Sequence, residues 1–297
     1  MCVRPIQVGK YEVPCGRCYE CQSMRRSEWA FRMQYETMVN PNAYFLTLTY
    51  DDNNLTEQNS LTGLHKANRK HIQDFIRELR RVHSLRYFGV HEYGSITKRN
   101  HYHLIVWLIN KDINLELALV QKLWKFGFIE KTQLNSARIH YCTKYLNKPF
   151  RNAWKTEQEI IDDNFYTLEQ KKDMLIDVFV KNNTFNFMST RPAIGAQLLD
   201  DVDTCKYIVD TALATGNYPP VYINGRQFPL PRFYVKKLFS PAERNQIYEL
   251  NLVKRREQEE LKATKLDMNI GEFAEHRQIS DQLKLERLTK SITNESF

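Results

Sequence analysis

Two histidines stand one residue apart in the segment EYGSITKRNHYHLIVWL, which runs from Glu92 to Leu108. Alternate side chains of a strand project from the same face, so His101 and His103 should lie side by side with Tyr102 on the other face. Two imidazoles at this spacing can share one divalent cation. The alternative is that both histidines are ordinary polar residues of a half-buried strand.

An acidic residue across the predicted turn can complete this pair. The turn SITKRN should join two antiparallel strands, which brings Glu92 beside the histidines, whereas His91 should point to the opposite face. Two imidazoles and one carboxylate leave positions on a cation open for water and phosphate oxygens. The pattern therefore predicts that Glu92, His101 and His103 hold a metal ion that polarises a phosphodiester.

A second motif, HYCTKYLNK, carries two tyrosines at helical spacing. Tyr141 and Tyr145 share one face of the predicted helix, and Lys144 and Lys148 repeat the same offset. A deprotonated tyrosine is a nucleophile toward phosphorus, and a nearby ammonium stabilises the phenolate or the developing phosphate charge. The pair predicts two successive transesterifications at one metal centre. The alternative is an amphipathic helix whose aromatic residues pack on the sheet.

A Cys-x-x-Cys-x-x-Cys motif near the N-terminus suits a tetrahedral structural zinc. Cys2 is the preferred fourth ligand, while Cys142 or Cys205 would serve only if the fold brought them near. An iron–sulfur cluster and a set of reduced, unliganded thiols are the alternatives. The expected role of a zinc ion is to hold the loop-rich N-terminus in place. The cysteines of the motif are Cys15, Cys18 and Cys21.

Hydrophobic periodicity predicts the elements that position these residues. Strands are expected at NAYFLTLTY, LRYFGVHEYG, HYHLIVWLI and FIEKTQL, and helices at ANRKHIQDFIRELRRVH, INLELALVQKLWKFG and SARIHYCTKYLNK. An earlier helix should begin after Ser27 as its N-cap. The order predicts an α+β fold, with a largely antiparallel central sheet and flanking helices of the ferredoxin-like or RRM-like kind, plus a helical C-terminal region.

Composition divides the chain into four predicted segments. Residues 1–40 form a cysteine-rich N-terminal segment, and residues 41–150 form the core that carries the histidines and tyrosines. Residues 151–240 are expected to be a helical and irregular accessory region, with an acidic stretch over 155–178 and a hairpin at Asn224-Gly225. Residues 241–297 are expected to be a charged helical tail.

The chain has a formal net charge of +8 and 42% apolar residues. It has no apolar run long enough to span a bilayer and no apolar secretory signal, so a reducing cytoplasm is the expected compartment. Basic residues concentrate between residues 61 and 110, which favours nucleic acid as the partner over a merely solvated helix face. The residues expected to contact the DNA backbone are Lys98, Arg99, Arg25 and Arg26.

Three segments resemble the motifs of HUH endonucleases in their order: FLTLTYDD, the acid-plus-HYH hairpin and YCTKYLNK. These enzymes include rolling-circle initiators, relaxases and related transposases. The segments VPCGRCYECQSMRRSEWAFRM and RPAIG, with the EYG…NHYH spacing, resemble more narrowly the replication initiators of gokushovirus-type microviruses, which are small single-stranded DNA phages. The resemblance covers most of residues 1–235.

The resemblance implies a metal-dependent endonuclease and ligase that initiates rolling-circle replication in the cytoplasm of a bacterial host. Such an enzyme nicks one strand at the phage origin and becomes attached to the 5′ phosphate, while the free 3′ hydroxyl primes a host polymerase. A second transfer recircularises the displaced strand, and no membrane takes part. The implied ligands of Mg²⁺ or Mn²⁺ are His101, His103 and Glu92, the implied nucleophiles Tyr141 and Tyr145, and the assisting residues Lys144 and Lys148.

Two other functions are compatible with the same residues. A non-catalytic, zinc-stabilised nucleic-acid-binding protein would use the cysteines and basic residues but not the tyrosines. An HUH relaxase or transposase would use the same chemistry for plasmid mobilisation or transposition. A covalent adduct with DNA that requires the tyrosines separates the first of these alternatives from the initiator, and the identity of the DNA substrate separates the second.

Overall fold

The computed structural model describes residues 2, 5–9, 11–16, 18–94, 98–144, 146, 156–276, 279–280 and 283. The chain divides into two compact units, one formed by Trp29–Gln197 and the other by Met1–Glu28 with Leu198–Phe297. This division falls within the first helix. The four-segment organisation drawn from composition stays a prediction.

The N-terminal part of the chain forms a short antiparallel hairpin of β1 (Ile6–Val8) and β2 (Tyr11–Val13), followed by helix α1 (Tyr19–Val39). The prediction that this helix begins after Ser27 is wrong, because Ser27 lies inside α1. The residues from Tyr19 to Ser27 include neither glycine nor proline, so nothing stops the helix from extending back toward the cysteine motif.

The unit Trp29–Gln197 is built on a five-stranded sheet in the order β6-β3-β5-β4-β7, and every pair in it is antiparallel. The predicted α+β class with a largely antiparallel sheet is therefore confirmed. The strands are β3 (Ala43–Tyr50), β4 (Leu85–Tyr93), β5 (Asn100–Leu108), β6 (Gly127–Gln133) and β7 (Asn186–Met188).

One face of this sheet carries the main hydrophobic core. Helices α2 (Arg69–Val82) and α3 (Leu117–Leu123) cover it, and α2 buries Ile72, Phe75 and Leu79 at the helical spacing read from the sequence. Trp124, immediately after α3, is also buried there. The sheet contributes alternate residues of three strands to this core, among them Leu46, Leu48, Tyr102, Leu104 and Val106.

Helix α1 and helix α4 (Ser136–Lys144) pack on the opposite face of the sheet. The ring of Trp29 lies 5.3 Å from Phe88, and the indole nitrogen of Trp107 donates a hydrogen bond to Thr37 at 2.8 Å. The ring of Phe45 lies 6.4 Å from Tyr141 of α4. This second face is thus covered by two helices whose residues include one of the predicted nucleophiles.

A buried ion pair ties α1 to the sheet. Glu36 is fully buried and accepts a hydrogen bond of 2.6 Å from Nε of Arg86 on β4. The same carboxylate accepts hydrogen bonds from the side chain of Asn40 (2.8 Å), the backbone nitrogen of Gly195 (2.8 Å) and the side chain of Gln197 (3.1 Å). One anion therefore joins a helix, a strand and the segment that follows β7.

The acidic stretch forms helices α5 (Glu157–Asp162) and α6 (Leu168–Asn183), as the composition predicted. Each helix begins with a capping box, which places acidic or amide side chains where the first turn exposes unpaired N–H groups. Ile160 packs against Met174, Leu175 and Val178 in a small core of their own.

The C-terminal part of the chain is mostly helical, with α7 (Val202–Thr215), α8 (Arg232–Leu238) and α9 (Pro241–Lys265). The predicted hairpin is present as β8 (Val221–Ile223) and β9 (Arg226–Phe228), and Asn224 and Gly225 both have the positive φ that such a turn requires. Among the described residues, no helix combines the length and apolar character needed to cross a membrane.

Candidate metal and nucleophile site

The β4–β5 hairpin brings the three predicted metal ligands together. Glu92 pairs directly with His101, and Val90 pairs with His103, so all three ligand side chains project from the same face of the sheet. Nε2 of His101 and Nε2 of His103 each lie 2.7 Å from Oε1 of Glu92. The ligand atoms of the three residues lie within 4.8 Å of one another.

The surroundings of Glu92 keep its carboxyl group ionised. Burial raises the pKa of Glu92, but the hydrogen bonds from His101 and His103 together outweigh burial and lower the pKa to about 2. The second oxygen of Glu92 is buried and has no hydrogen-bond partner among the described residues. A buried anion with an unsatisfied oxygen is the environment that a cation would complete.

The orientation of His101 also fits a metal ligand. Its Nδ1 lies 3.1 Å from the backbone carbonyl oxygen of Arg99, which can only accept a hydrogen bond, so Nδ1 carries a proton. In the neutral ring, Nε2 then presents its lone pair toward the carboxylate of Glu92. That approach is favourable only with a positive charge between the two atoms, either a second proton or a metal ion.

Tyr141 of α4 reaches the same three residues. Its hydroxyl group donates a hydrogen bond of 3.1 Å to Oε1 of Glu92 and lies 3.4 Å from Nε2 of His103. Its ring meets that of His103 edge to face, with 4.9 Å between the ring centroids. The structure thus brings one predicted nucleophile to the predicted metal ligands. Lys144 is exposed at the end of α4, while Tyr145 and Lys148 lie outside the described residues.

The back of the hairpin is part of the core. His91 is 1% exposed, faces away from the site and stacks its ring on Phe185 at 5.4 Å. Burial lowers the pKa of His91 to about 3, so it is a neutral packing residue there. The hydroxyl group of Tyr102 donates to the backbone oxygen of Asn68 at 2.8 Å and lies 3.2 Å from the hydroxyl group of Tyr50.

Sequence reasoning missed one side chain that supports the site. The hydroxyl group of Thr47 on β3 lies 3.3 Å from Nδ1 of His103, and the two residues are directly paired across the strands. Thr47 therefore orients the ring of His103 from the neighbouring strand. The alternation of the segment NAYFLTLTY places Thr47 on one face, but the pairing with His103 depends on the strand register.

The four N-terminal cysteines also come together. The sulfur atoms of Cys2, Cys15, Cys18 and Cys21 lie within 4.8 Å of one another, with 3.7 Å between Cys18 and Cys2 and 4.0 Å between Cys15 and Cys21. The backbone nitrogen of Cys15 donates to the sulfur of Cys2, and that of Cys18 donates to the sulfur of Cys15. Cys2 is thus the residue that joins the motif. The other two cysteines lie elsewhere, with Cys142 buried in α4 and Cys205 in α7.

The predicted DNA-contacting residues have different surroundings. Arg99 donates a hydrogen bond of 2.8 Å to the backbone oxygen of Tyr50 and pairs with Asp52, so it braces the end of β3. Lys98 beside it is exposed and has a positive φ of 53°. In the other unit, Arg25 is exposed on α1 and Arg26 is half-buried.

Comparisons with known proteins agree with this arrangement of an antiparallel sheet that carries two histidines, a carboxylate and a tyrosine. Residues 43–150 match the family model for replication-associated protein ORF2. The chain is 27% identical over 162 residues to replication-associated protein ORF4 of Chlamydia phage 1, and 29% identical over 156 residues to replication-associated protein ORF2 of Spiroplasma virus 4. It is 26% identical over 269 residues to replication-associated protein VP4 of Bdellovibrio phage phiMH2K.

The matched region covers 47% of this chain and 39% of the Chlamydia phage protein, and 46% of this chain and 48% of the Spiroplasma virus protein. The chain thus spans less than half the length of these two relatives. For the Bdellovibrio phage protein, the match covers 78% of this chain and 75% of the relative. No solved structure matches the chain. The resemblance to the replication-associated proteins of small phages, predicted from the motifs, is confirmed.

Proposed function

We propose that this protein is a phage replication initiator, a metal-dependent endonuclease and strand transferase that acts on single-stranded DNA at the phage origin. The observation that carries this proposal is the hydroxyl group of Tyr141, 3.1 Å from the same oxygen of Glu92 that lies 2.7 Å from both His101 and His103. A nucleophile and a set of cation ligands that meet at one point suit the transfer of a phosphodiester.

The cation site fits Mg²⁺ or Mn²⁺, held by the nitrogen atoms of His101 and His103 and the carboxylate of Glu92. A cation bound there would polarise the scissile phosphate and neutralise the charge that develops on it. Glu92 accepts the hydrogen bond of the Tyr141 hydroxyl group, which orients the phenol and provides an acceptor for its proton. Lys144, in the last turn of the same helix, supplies positive charge for the phosphate.

The transfer balances without a high-energy cofactor. The Tyr141 oxygen forms a bond to phosphorus while the bond from phosphorus to the 3′ oxygen breaks. The phenol gives up its proton, and the departing 3′ oxygen takes one. The phosphotyrosine conserves the energy of the broken bond, so attack by a 3′ hydroxyl group reverses the step and reseals the strand. Tyr145 keeps its predicted role as the second nucleophile, and the partners are the origin strand and the host replication machinery in the bacterial cytoplasm.

The proposal is tested with single-stranded oligonucleotides that tile the genome encoding this chain, labelled at the 3′ end and incubated with the protein and Mn²⁺. The expected result is a labelled adduct that survives denaturing electrophoresis for one oligonucleotide. Changing both Tyr141 and Tyr145 to Phe should abolish it, whereas changing the exposed Tyr222 to Phe should not. An undiminished adduct in the double variant would refute the assigned nucleophiles. Binding of DNA without an adduct in any divalent metal would favour the non-catalytic alternative.

A separate measurement tests the metal ligands. Glu92→Gln should lose Mn²⁺ binding measured by calorimetry or electron paramagnetic resonance, because it removes the only carboxylate of the site found among the described residues. Glu130→Gln is the matched control, since Glu130 is an exposed carboxylate on the same sheet face, paired through Thr47. Equal Mn²⁺ affinity of the two variants would contradict the proposed ligand set.

We further propose that the four N-terminal cysteines hold a structural zinc ion. Four thiolates about 2.3 Å from one Zn²⁺ in tetrahedral geometry are separated from each other by about 3.8 Å. The sulfur–sulfur distances of 3.7 and 4.0 Å agree with this value. Backbone N–H groups that donate to two of the sulfur atoms would stabilise their negative charge.

The zinc proposal predicts one zinc ion per chain, released when a thiol-specific reagent modifies the protein. Cys15→Ala should lose the metal and Cys205→Ala should keep it. A visible absorption band with bound iron would instead indicate the iron–sulfur alternative. Zinc retained at full stoichiometry in Cys15→Ala would refute the assigned ligands.

A further inference from the structure

The strand register places an exposed phenylalanine in line with the proposed metal ligands. Glu92 pairs with His101, His101 pairs with Thr49, and Thr49 pairs with Phe128 on β6. Directly paired residues of antiparallel strands project from the same face, so these four residues form one cross-strand row on the face of the site. Two strand spacings of about 4.8 Å place the backbone of Phe128 about 10 Å from that of His101.

The ring of Phe128 lies on the open part of this face. Phe128 is 68% exposed. Farther along the same face, Phe45 is 7% exposed, with the guanidinium group of Arg138 over its ring and Tyr141 beside it. Helix α4 therefore covers the face at Phe45 and leaves it uncovered at Phe128.

The backbone beneath Phe128 is firmly held. Gly127 has a φ of 146°, and a Cβ atom there would lie 2.4 Å from both the backbone nitrogen of Asp51 and the backbone oxygen of Thr49. Phe126, on the other side of Gly127, stacks on His71 with 3.7 Å between the rings. The start of β6 is thus pressed against the end of β3, so the ring of Phe128 stands on a rigid element rather than on a loop.

The neighbours of Phe128 indicate what the ring can bind. The residues nearest to it on the same face are polar, namely Thr49, Glu130 and Thr132. A single ring with polar neighbours offers no continuous apolar patch for a protein partner. It does offer a flat surface for one planar, unpaired base, and stacking on an aromatic ring is tolerant of the identity of that base.

We propose that Phe128 is a base-stacking subsite that binds an unpaired nucleobase next to the phosphate held at Glu92, His101 and His103. The inference rests on the proposed function, because it assigns the substrate strand a path from the metal ligands across Thr49 toward β6. A base in a duplex cannot present its face to the ring, so the subsite selects single-stranded DNA. Phe128 is a positioning residue, since it holds the strand and does not contact the reacting atoms.

The test measures equilibrium binding of a fluorescent oligothymidylate of about 12 nucleotides by anisotropy in the presence of EDTA. Phe128→Ala should weaken binding by about 5- to 100-fold, and Phe128→Trp should retain it with quenching of the new indole fluorescence on DNA binding. Phe165→Ala is the matched control, because Phe165 is 87% exposed in the same unit but lies between α5 and α6, away from the sheet.

A second probe locates the bound base. In the oligonucleotide that forms the adduct, an abasic site next to the nick should weaken binding to the wild type but not weaken it further in Phe128→Ala. Binding of Phe128→Ala within about twofold of the wild type, equal to that of Phe165→Ala, would overturn the subsite even if the tyrosine-dependent adduct forms. Loss of binding in Phe128→Ala without an adduct in any metal would support the subsite and sink the proposed nuclease.

Discussion

Replacing Glu36 by Ala should be among the most destabilising changes in the unit Trp29–Gln197. The carboxylate is fully buried, and the side chain of its partner Arg86 is only 8% exposed. Glu36→Ala leaves that guanidinium group buried with the backbone oxygen of Pro192, 3.1 Å away, as an acceptor but no counter-charge. Removing one partner of a buried ion pair costs about 3–5 kcal/mol. For a unit of this size that corresponds to a fall in unfolding midpoint of roughly 6–20 °C.

Urea unfolding followed by tryptophan fluorescence measures this loss, with Glu78→Ala as the matched control. Glu78 pairs with Arg81 at 2.6 Å on the surface of α2, where 68% of the arginine side chain is exposed. Its removal should cost less than about 1 kcal/mol. The double variant Glu36→Met with Arg86→Met removes both charges and should recover most of the lost stability. If Glu36→Ala were no less stable than Glu78→Ala, or the double variant no better than the single one, the assignment of the cost to an unpaired buried charge would be refuted.

Two further predictions concern the site's supporting strands. Gly127→Ala should destabilise the protein by about 1–3 kcal/mol in urea unfolding, because its Cβ would meet backbone atoms at 2.4 Å, while Gly63→Ala, with its nearest neighbour at 3.9 Å, should cost only the strain of its positive φ. Burial lowers the pKa of His71 below its usual value, with Asp74 opposing the shift, so the unfolded chain binds more protons and stability should fall as the pH drops below about 6.5. His71→Phe should flatten that fall, measured as the free energy of unfolding on either side of this pH, and an unchanged slope would contradict the shift.

The parts of the fold that follow from local periodicity could be predicted from the sequence. The strands β3 to β6 and the helix α2 were identified because alternation and the helical repeat decide burial residue by residue. The strand β7 was missed, since its three residues are too few to show alternation. Its place beside β4 depends instead on a tertiary fit, in which Gly89 leaves room for the ring of Phe187: a Cβ at Gly89 would lie 2.2 Å from that ring.

The candidate site shows the same limit. His101, His103 and Tyr141 were found because their residue types and spacing are readable within one strand and one helix. Thr47 and Phe128 were not, because they lie on other strands and reach the site only through the register of β3 with β5 and β6. The start of α1 was misplaced for a related reason: a serine has the same local signature at an N-cap and on the side of a helix.

The two faces of the β4–β5 hairpin have opposite requirements, with imidazoles on one side and the hydroxyl-bonded ring of Tyr102 on the other. The connection between the strands can therefore gain or lose residues without moving a ligand, because the ladder and not the loop sets their spacing. One residue inserted within either strand would rotate the pattern by half a period, sending both imidazoles into hydrocarbon and Tyr102 into solvent. Tolerance to insertion should thus change abruptly at the strand ends, and a library of single-codon insertions would trace that border along the chain.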